Sequence, residues 1–156
     1  MVSQKADEVV AGAPGVRCGD LKTAHATDQC MWNVAMAKDD AGLCATMSDE
    51  TLRTRCRGQI ETQTAIAAHD ASLCISIQDA ASRQTCLRNT IDVKTTAAFC
   101  ERLTGDDKAT CADSRTLFAV HPGSDPAVCT SVVDEELQAA CMGIARHAPS
   151  PAVKSK

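Results

Sequence analysis

The stretch Asp40–Cys56, DAGLCATMSDETLRTRC, holds one complete structural unit in seventeen residues. Asp40 stands four places before Cys44, where its side-chain oxygen suits an N-cap that accepts from the first-turn amides. Leu43 and Met47 are four apart, so on an α-helix they share a face. Ser48-Asp49 is a second cap signal, and the chain then runs without a breaker through Cys56. The segment predicts a short helix of about two turns, a tight turn and a longer helix, with one cysteine in each helix.

The unit recurs along the chain. Ten cysteines fall as Cys18 and Cys30, Cys44 and Cys56, Cys74 and Cys86, Cys100 and Cys111, Cys129 and Cys141. Four pairs are C-x11-C and the fourth is C-x10-C. Asp70, Thr96 and Asp125 stand where Asp40 does, and Asp125 precedes Pro126, a favoured first-turn residue. Before the first cysteine come Leu73, Phe99 and Val128; three after it come Leu21, Ile77, Leu103 and Val132. Asp79, Thr104 and Asp134 open the second helices, and Thr104 with Asp107 makes a loose capping box.

Geometry selects pairing within a repeat. Around a turn near Ser48, Cys44 lies about 4 residues before and Cys56 about 8 after, an offset of about 6 Å at 1.5 Å per residue. A tilted hairpin absorbs that. The rival pair, Cys56 with Cys74 around a turn near His69, is offset by about 12 Å, beyond disulfide reach. Each within-repeat bond closes a loop of about a dozen residues, worth up to about 3 kcal/mol in the chain-entropy model.

From each second cysteine to the next first cysteine the steps are 14, 18, 14 and 18 residues. The extra four residues amount to about one helical turn. The long helices of repeats two and four are therefore expected to run one turn further or to end in a longer loop. In repeat four Pro122-Gly123 points to a loop. The expected fold is all-α: five disulfide-stapled helical hairpins (16–38, 39–68, 69–94, 95–123 and 124–147) stacked as a short α-solenoid. Segments 1–15 and 148–156 lack periodicity and are expected to be disordered. A hairpin with a cysteine in each helix resembles, in architecture alone, the cysteine-rich tandem helical repeat proteins of bacteria. The Gly- and Tyr-bearing signature of those repeats is missing, the cysteine spacing differs, and no function is carried over.

Composition agrees with a stapled fold. Aromatic residues make up 2% of the chain (Trp32, Phe99 and Phe118, with no Tyr), so the core comes from small aliphatic groups. Chains with weak cores recruit cross-links. Disulfides persist in oxidising compartments, which points to a periplasmic, cell-surface or secreted protein. Residues 1–16 carry no apolar leader stretch, and the expectation is that Met1 stands where a leader has been removed. No run of transmembrane length follows. A net charge of −4 argues against nucleic acid, whose binders carry a basic patch.

Candidate chemistry is sparse. Structural zinc sites use close pairs such as C-x2-C, absent here, and no C-x-x-C redox motif occurs. No cofactor and no metal site is expected. His69 and His121 fall where long helices should end and suit the helix dipole; His25 and His147 carry no signal. The doublets Asp39-Asp40, Asp106-Asp107 and Glu135-Glu136 lie at helix starts, where carboxylates are stabilising. No G-x-S-x-G or H-E-x-x-H is present, so no catalytic residue is assigned. Trp32, two places after Cys30, either caps the end of the array or stands exposed as an interface anchor beside Met31 and Met36. Arg53 and Arg57 share a helix face, either solvated or facing an acidic partner. The leading expectation is a non-enzymatic scaffold that binds a protein or a surface polymer. The alternative is thiol-based storage or sequestration of copper or zinc.

Overall fold

A computed structural model describes residues 17–92 and 95–147. The expected disordered ends, 1–15 and 148–156, lie outside the described residues. Among the described residues every regular element is helical. Seven α-helices run Ala24–Lys38 (α1), Ala41–Cys44 (α2), Glu50–Ala68 (α3), Ala80–Thr90 (α4), Ala97–Glu101 (α5), Gly105–Ala119 (α6) and Glu135–Arg146 (α7). Three single 3-10 segments cover Cys18–Asp20, Ala71–Ser76 and Pro126–Ser131. The chain divides into two compact units, Met1–Cys86 and Leu87–Lys156.

Each first cysteine sits in a short element and each second cysteine in a long helix. The bridges join Cys18 to Cys30, Cys44 to Cys56, Cys74 to Cys86, Cys100 to Cys111 and Cys129 to Cys141, with Cα atoms 5.5 to 5.7 Å apart. None of the ten cysteines is more than 6% exposed. Apart from Met47, Ile77, Leu87 and Ile91, the larger side chains shielded completely among the described residues are cysteines. Cystine takes the place that aromatic residues usually fill in a core.

The short elements of repeats one, two and four are about one turn long, below the expected two, whereas the six-residue 3-10 segments of repeats three and five make two tight turns. The chain turns at once: in all five repeats the carbonyl of the first cysteine accepts from the amide three residues on, at 3.1 to 3.3 Å. Asp40, Asp70 and Asp125 cap the amides two places ahead (Gly42, Ser72 and Ala127) at 2.8 to 2.9 Å, which tightens the opening further. Thr96 makes no such bond.

Repeats two and four keep an α-turn, whereas three and five are 3-10. This changes which side chains share a face. Four residues on an α-helix return to within about 40° of the start, but on a 3-10 helix they end about 120° away. Leu43 and Phe99, one place before an α-type cysteine, are buried at 3% and 9% exposure. Leu73 and Val128, in the 3-10 repeats, are 41% and 44% exposed. Met47, Ile77 and Val132 remain buried in both types.

The long helices begin on carboxylates. Asp49 accepts from Leu52 N, Asp79 from Ser82 N, and Asp134 from Glu136 N and Leu137 N, at 2.8 to 3.0 Å. Thr104 is a correction: its side chain makes no cap bond, so the expected capping box does not form. α3 has 19 residues against 15 in α1, the extra turn expected of repeat two. α6 stops at Ala119, and a turn at His121–Ser124 with Gly123 at φ 87° takes up the additional length of repeat four.

Two junctions use one residue twice. Asp39 and His69 end α1 and α3 in the left-handed region, at φ 52° and 50°. The amides of Asp40 and Asp70 then bond back to Ala35 O and Ala65 O while their side chains cap the next element. This is a Schellman closure whose last residue is already the next N-cap.

Candidate functional site

A second cysteine points toward its own short element. At 100° per residue, positions two before or two after it lie on the far side of the long helix. In α1, α3 and α6 that far side meets the following repeat. In α1 it carries Asp28, which is 3% exposed and accepts from Ser48 N and Ser48 Oγ at 2.8 Å and from Asp49 N at 2.9 Å. Burial by itself pushes the Asp28 carboxyl up. The Ser48 and Asp49 amides, the Ser48 hydroxyl and the nearby His25 outweigh it and hold the group below the ordinary value. In α6 the equivalent residue is Asp113, also 3% exposed, which accepts from Val133 N and Asp134 N. In α3 the position is Gly58, where a Cβ would lie 2.9 Å from Ser82 Cβ. There the helices approach too closely for a side chain, and Thr62 Oγ1 donates to Ser82 O at 3.0 Å.

This arrangement gives Trp32 its setting. Trp32 is one turn beyond Asp28 on the same face of α1. It is half-buried and packs on a core that includes Met31, Val34 and Leu43. The same position, two places after the second cysteine, holds Gly58, Arg88, Asp113 and Gly143 in the other repeats. Gly58 and Asp113 are in fact buried, because this is the face that meets the next repeat. Arg88 is half-buried and pairs with Asp134. Gly143 is open.

Trp32 lines a cavity of about 540 Å³ in the first unit, with Arg55, Gln59, Gln63 and Ile66 of α3 and Asp79 ahead of α4. Arg55, Gln59 and Gln63 are spaced i, i+4, i+8, so they form one ridge along α3. All three are exposed. Asp79 opposes the ridge, and its carboxyl is held low by the Ser82 hydroxyl and amide, with help from Arg55 and Arg83. The cavity therefore combines an aromatic wall, planar hydrogen-bonding side chains and one charge of each sign.

The other expected interface residues are placed differently. Met31 is a correction: at 3% exposure it belongs to the core and offers nothing to a partner. Met36 is half-buried against the same core. Arg53 and Arg57 line a second hollow of about 310 Å³ with Glu50, Thr54 and Gln78. Arg53 also has an internal task, donating from Nη1 to Met47 O at 3.0 Å. Arg83 does the same for Ile77 O at 2.7 Å, and Gln138 for Val132 O at 3.0 Å. These three residues stand nine places after their repeat's first cysteine, a regularity visible in the sequence once that carbonyl is known to need a donor. His69 is the left-handed residue closing α3, and His121 lies in the loop after α6.

No cysteine among the described residues is free. Five disulfides are consistent with an oxidising location outside the cytoplasm. Among the described residues no helix is long and apolar enough to cross a membrane. No family model, no curated protein and no solved structure matches this chain.

Proposed function

We propose that the protein is a non-enzymatic, extracytoplasmic binding module that engages its partner through the Trp32 cavity of the first unit. On this reading the five hairpins form a short stacked array in which stapled repeats serve as a rigid frame. The observation that carries it is the placement of the chain's one Trp, half-buried against the core with a face on the cavity. Trp32 stands against an exposed polar ridge, and aromatic anchors beside polar groups are the recurrent energetic centres of recognition. The partner is a protein or a surface polymer. The negative net charge speaks against nucleic acid.

Copper or zinc storage would draw on thiolates, and here the sulfurs are tied in bridges. Mass measurement of natively purified, unreduced protein with and without an alkylating agent separates the readings: five bonds support the module, and many free thiols support storage. For the site, a photo-crosslinking residue at position 63 is expected to give discrete adducts in the native compartment, abolished by Trp32→Ala. The same label at position 131 should give none. Equal adducts from both positions would reject the assignment.

A further inference from the structure

We infer that the ligand of the Trp32 cavity is an extended peptide segment lying along the Arg55–Gln59–Gln63 ridge; this rests on the binding-module reading. Spacing carries the inference. Side chains at i and i+4 on a helix repeat every 6 Å or so. An extended chain rises about 3.3 Å per residue and turns the same edge outward every second residue, about 6.6 Å apart. A ridge of side chains at four-residue intervals therefore matches successive same-edge peptide groups. The match degrades by only about 0.6 Å per step.

The chemistry fits that register. A side-chain amide donates from Nε2 and accepts at Oε1, so one glutamine pairs with both the C=O and the N–H of a peptide residue. Gln59 and Gln63 are two such groups in succession on an exposed ridge. Arg55, at the start of the ridge, offers donors only; it already acts on the Asp79 carboxylate, and its several N–H groups leave donors for a second carboxylate from the ligand. Ile66, at the far end, and Trp32 across the cavity suit an apolar side chain. From Arg55 to Ile66 the helix advances about 16 Å, which an extended chain covers in about five residues. The ligand is thus an unstructured segment with an acidic residue and an apolar residue four or five places apart, its backbone between them read by the glutamines. Sequence identity between those anchors matters little.

The chain carries one Trp and no Tyr, so fluorescence excited at the red edge of aromatic absorption reports on the cavity alone. The probe is a random-sequence heptapeptide library selected on the full oxidised chain. Selected peptides are expected to carry the acidic and apolar anchors at that separation and to shift Trp32 emission. Single N-methylation of the backbone should weaken binding about fivefold at two positions two residues apart, and not at the residue between them. Gln59→Ala and Gln63→Ala should each cost about fivefold and together about twentyfold, with the circular dichroism spectrum unchanged because both side chains are exposed. Insensitivity to N-methylation, or to the paired glutamine substitution, overturns the inference. So does a Trp32 shift caused by cello- or chito-oligosaccharides with silence to peptides, although that result leaves the binding-module reading standing. Loss of the position-63 adducts judges the wider reading separately.

Discussion

Asp113 repeats in α6 what Asp28 does in α1: each is a buried carboxylate that receives the backbone amides opening the long helix of the following repeat. Each stands sixteen places before the first cysteine of that following repeat, and so does Gly58. The disulfides tie a repeat to itself; these positions tie it to its neighbour. Asp28→Asn keeps the shape but turns an Nδ2 donor toward groups that all donate. The expected loss is about 2 kcal/mol, or about 4–8 °C in melting temperature for a chain of this size. Asp113→Asn should behave alike, whereas exposed Asp106→Asn should stay within about 0.5 kcal/mol. Thermal denaturation followed by circular dichroism decides it, and an Asp28→Asn melt equal to wild type would remove the clamp from the account.

Acid should loosen the first unit. The carboxyls of Asp28, Asp70 and Asp79 are all held below their ordinary value of 3.8 in the folded chain. The unfolded chain therefore takes up these protons first as pH falls. The stability they contribute is complete above that value and drains away below it. Urea midpoints are expected to be flat from about pH 7 to 5 and to drop steadily below about pH 4. The drop should be shallower in Asp28→Asn. A midpoint independent of pH down to about 3 would contradict these hydrogen bonds.

Two glycines at the same repeat position should answer oppositely to alanine. Gly58 and Gly143 each lie two places after a second cysteine, inside α3 and α7. At Gly143 a Cβ meets nothing within 4 Å, so Gly143→Ala should stabilise by about 1 kcal/mol through helix propensity. At Gly58 a Cβ would meet Ser82 Cβ and Oγ at 2.9 Å. Overpacking of about 1–3 kcal/mol then outweighs the propensity gain, and Gly58→Ala should destabilise. A stabilising Gly58→Ala would mean that α4 yields freely from α3.

The staples should resist reductant until the fold opens. With cysteines at 0 to 6% exposure, a mild thiol reductant has little access to sulfur in the native state. Five bonds are expected to survive reductant alone and to be lost when a denaturant is added. After removal of denaturant, the reduced chain should regain little helix, since each short loop forfeits up to about 3 kcal/mol. Melting of reduced protein within a few degrees of the oxidised form would show that the aliphatic core suffices.

Much of this fold could be read directly from the sequence, because cysteine spacing and aspartate caps are local signals. Asp40, Asp70 and Asp125 announce the short elements, and Pro122-Gly123 announces the loop after α6. The choice between α and 3-10 is not legible, since either satisfies the same cap and the sequence puts an apolar residue before the first cysteine in both kinds of repeat. The surroundings of Trp32 do not follow from its place beside Cys30 alone. Counting from its own cysteine aligns it with Gly58, whereas counting forward to the next repeat aligns Gly58 with Asp28 instead. The ridge of Arg55, Gln59 and Gln63 carries no composition signal; it bounds a cavity only when α1 and the start of α4 supply the other walls.

The short span of each bridge bears on how the chain matures. Eight cysteines already permit 105 pairings, and ten permit more. Here the correct partner is always the next cysteine to emerge during synthesis, eleven or twelve residues behind the last. A repeat can be sealed before its successor exists, so oxidation in order of appearance is also oxidation into the native set. Whole repeats could be gained or lost in descent without disturbing any disulfide elsewhere, and such a protein has little need of an isomerase to correct it.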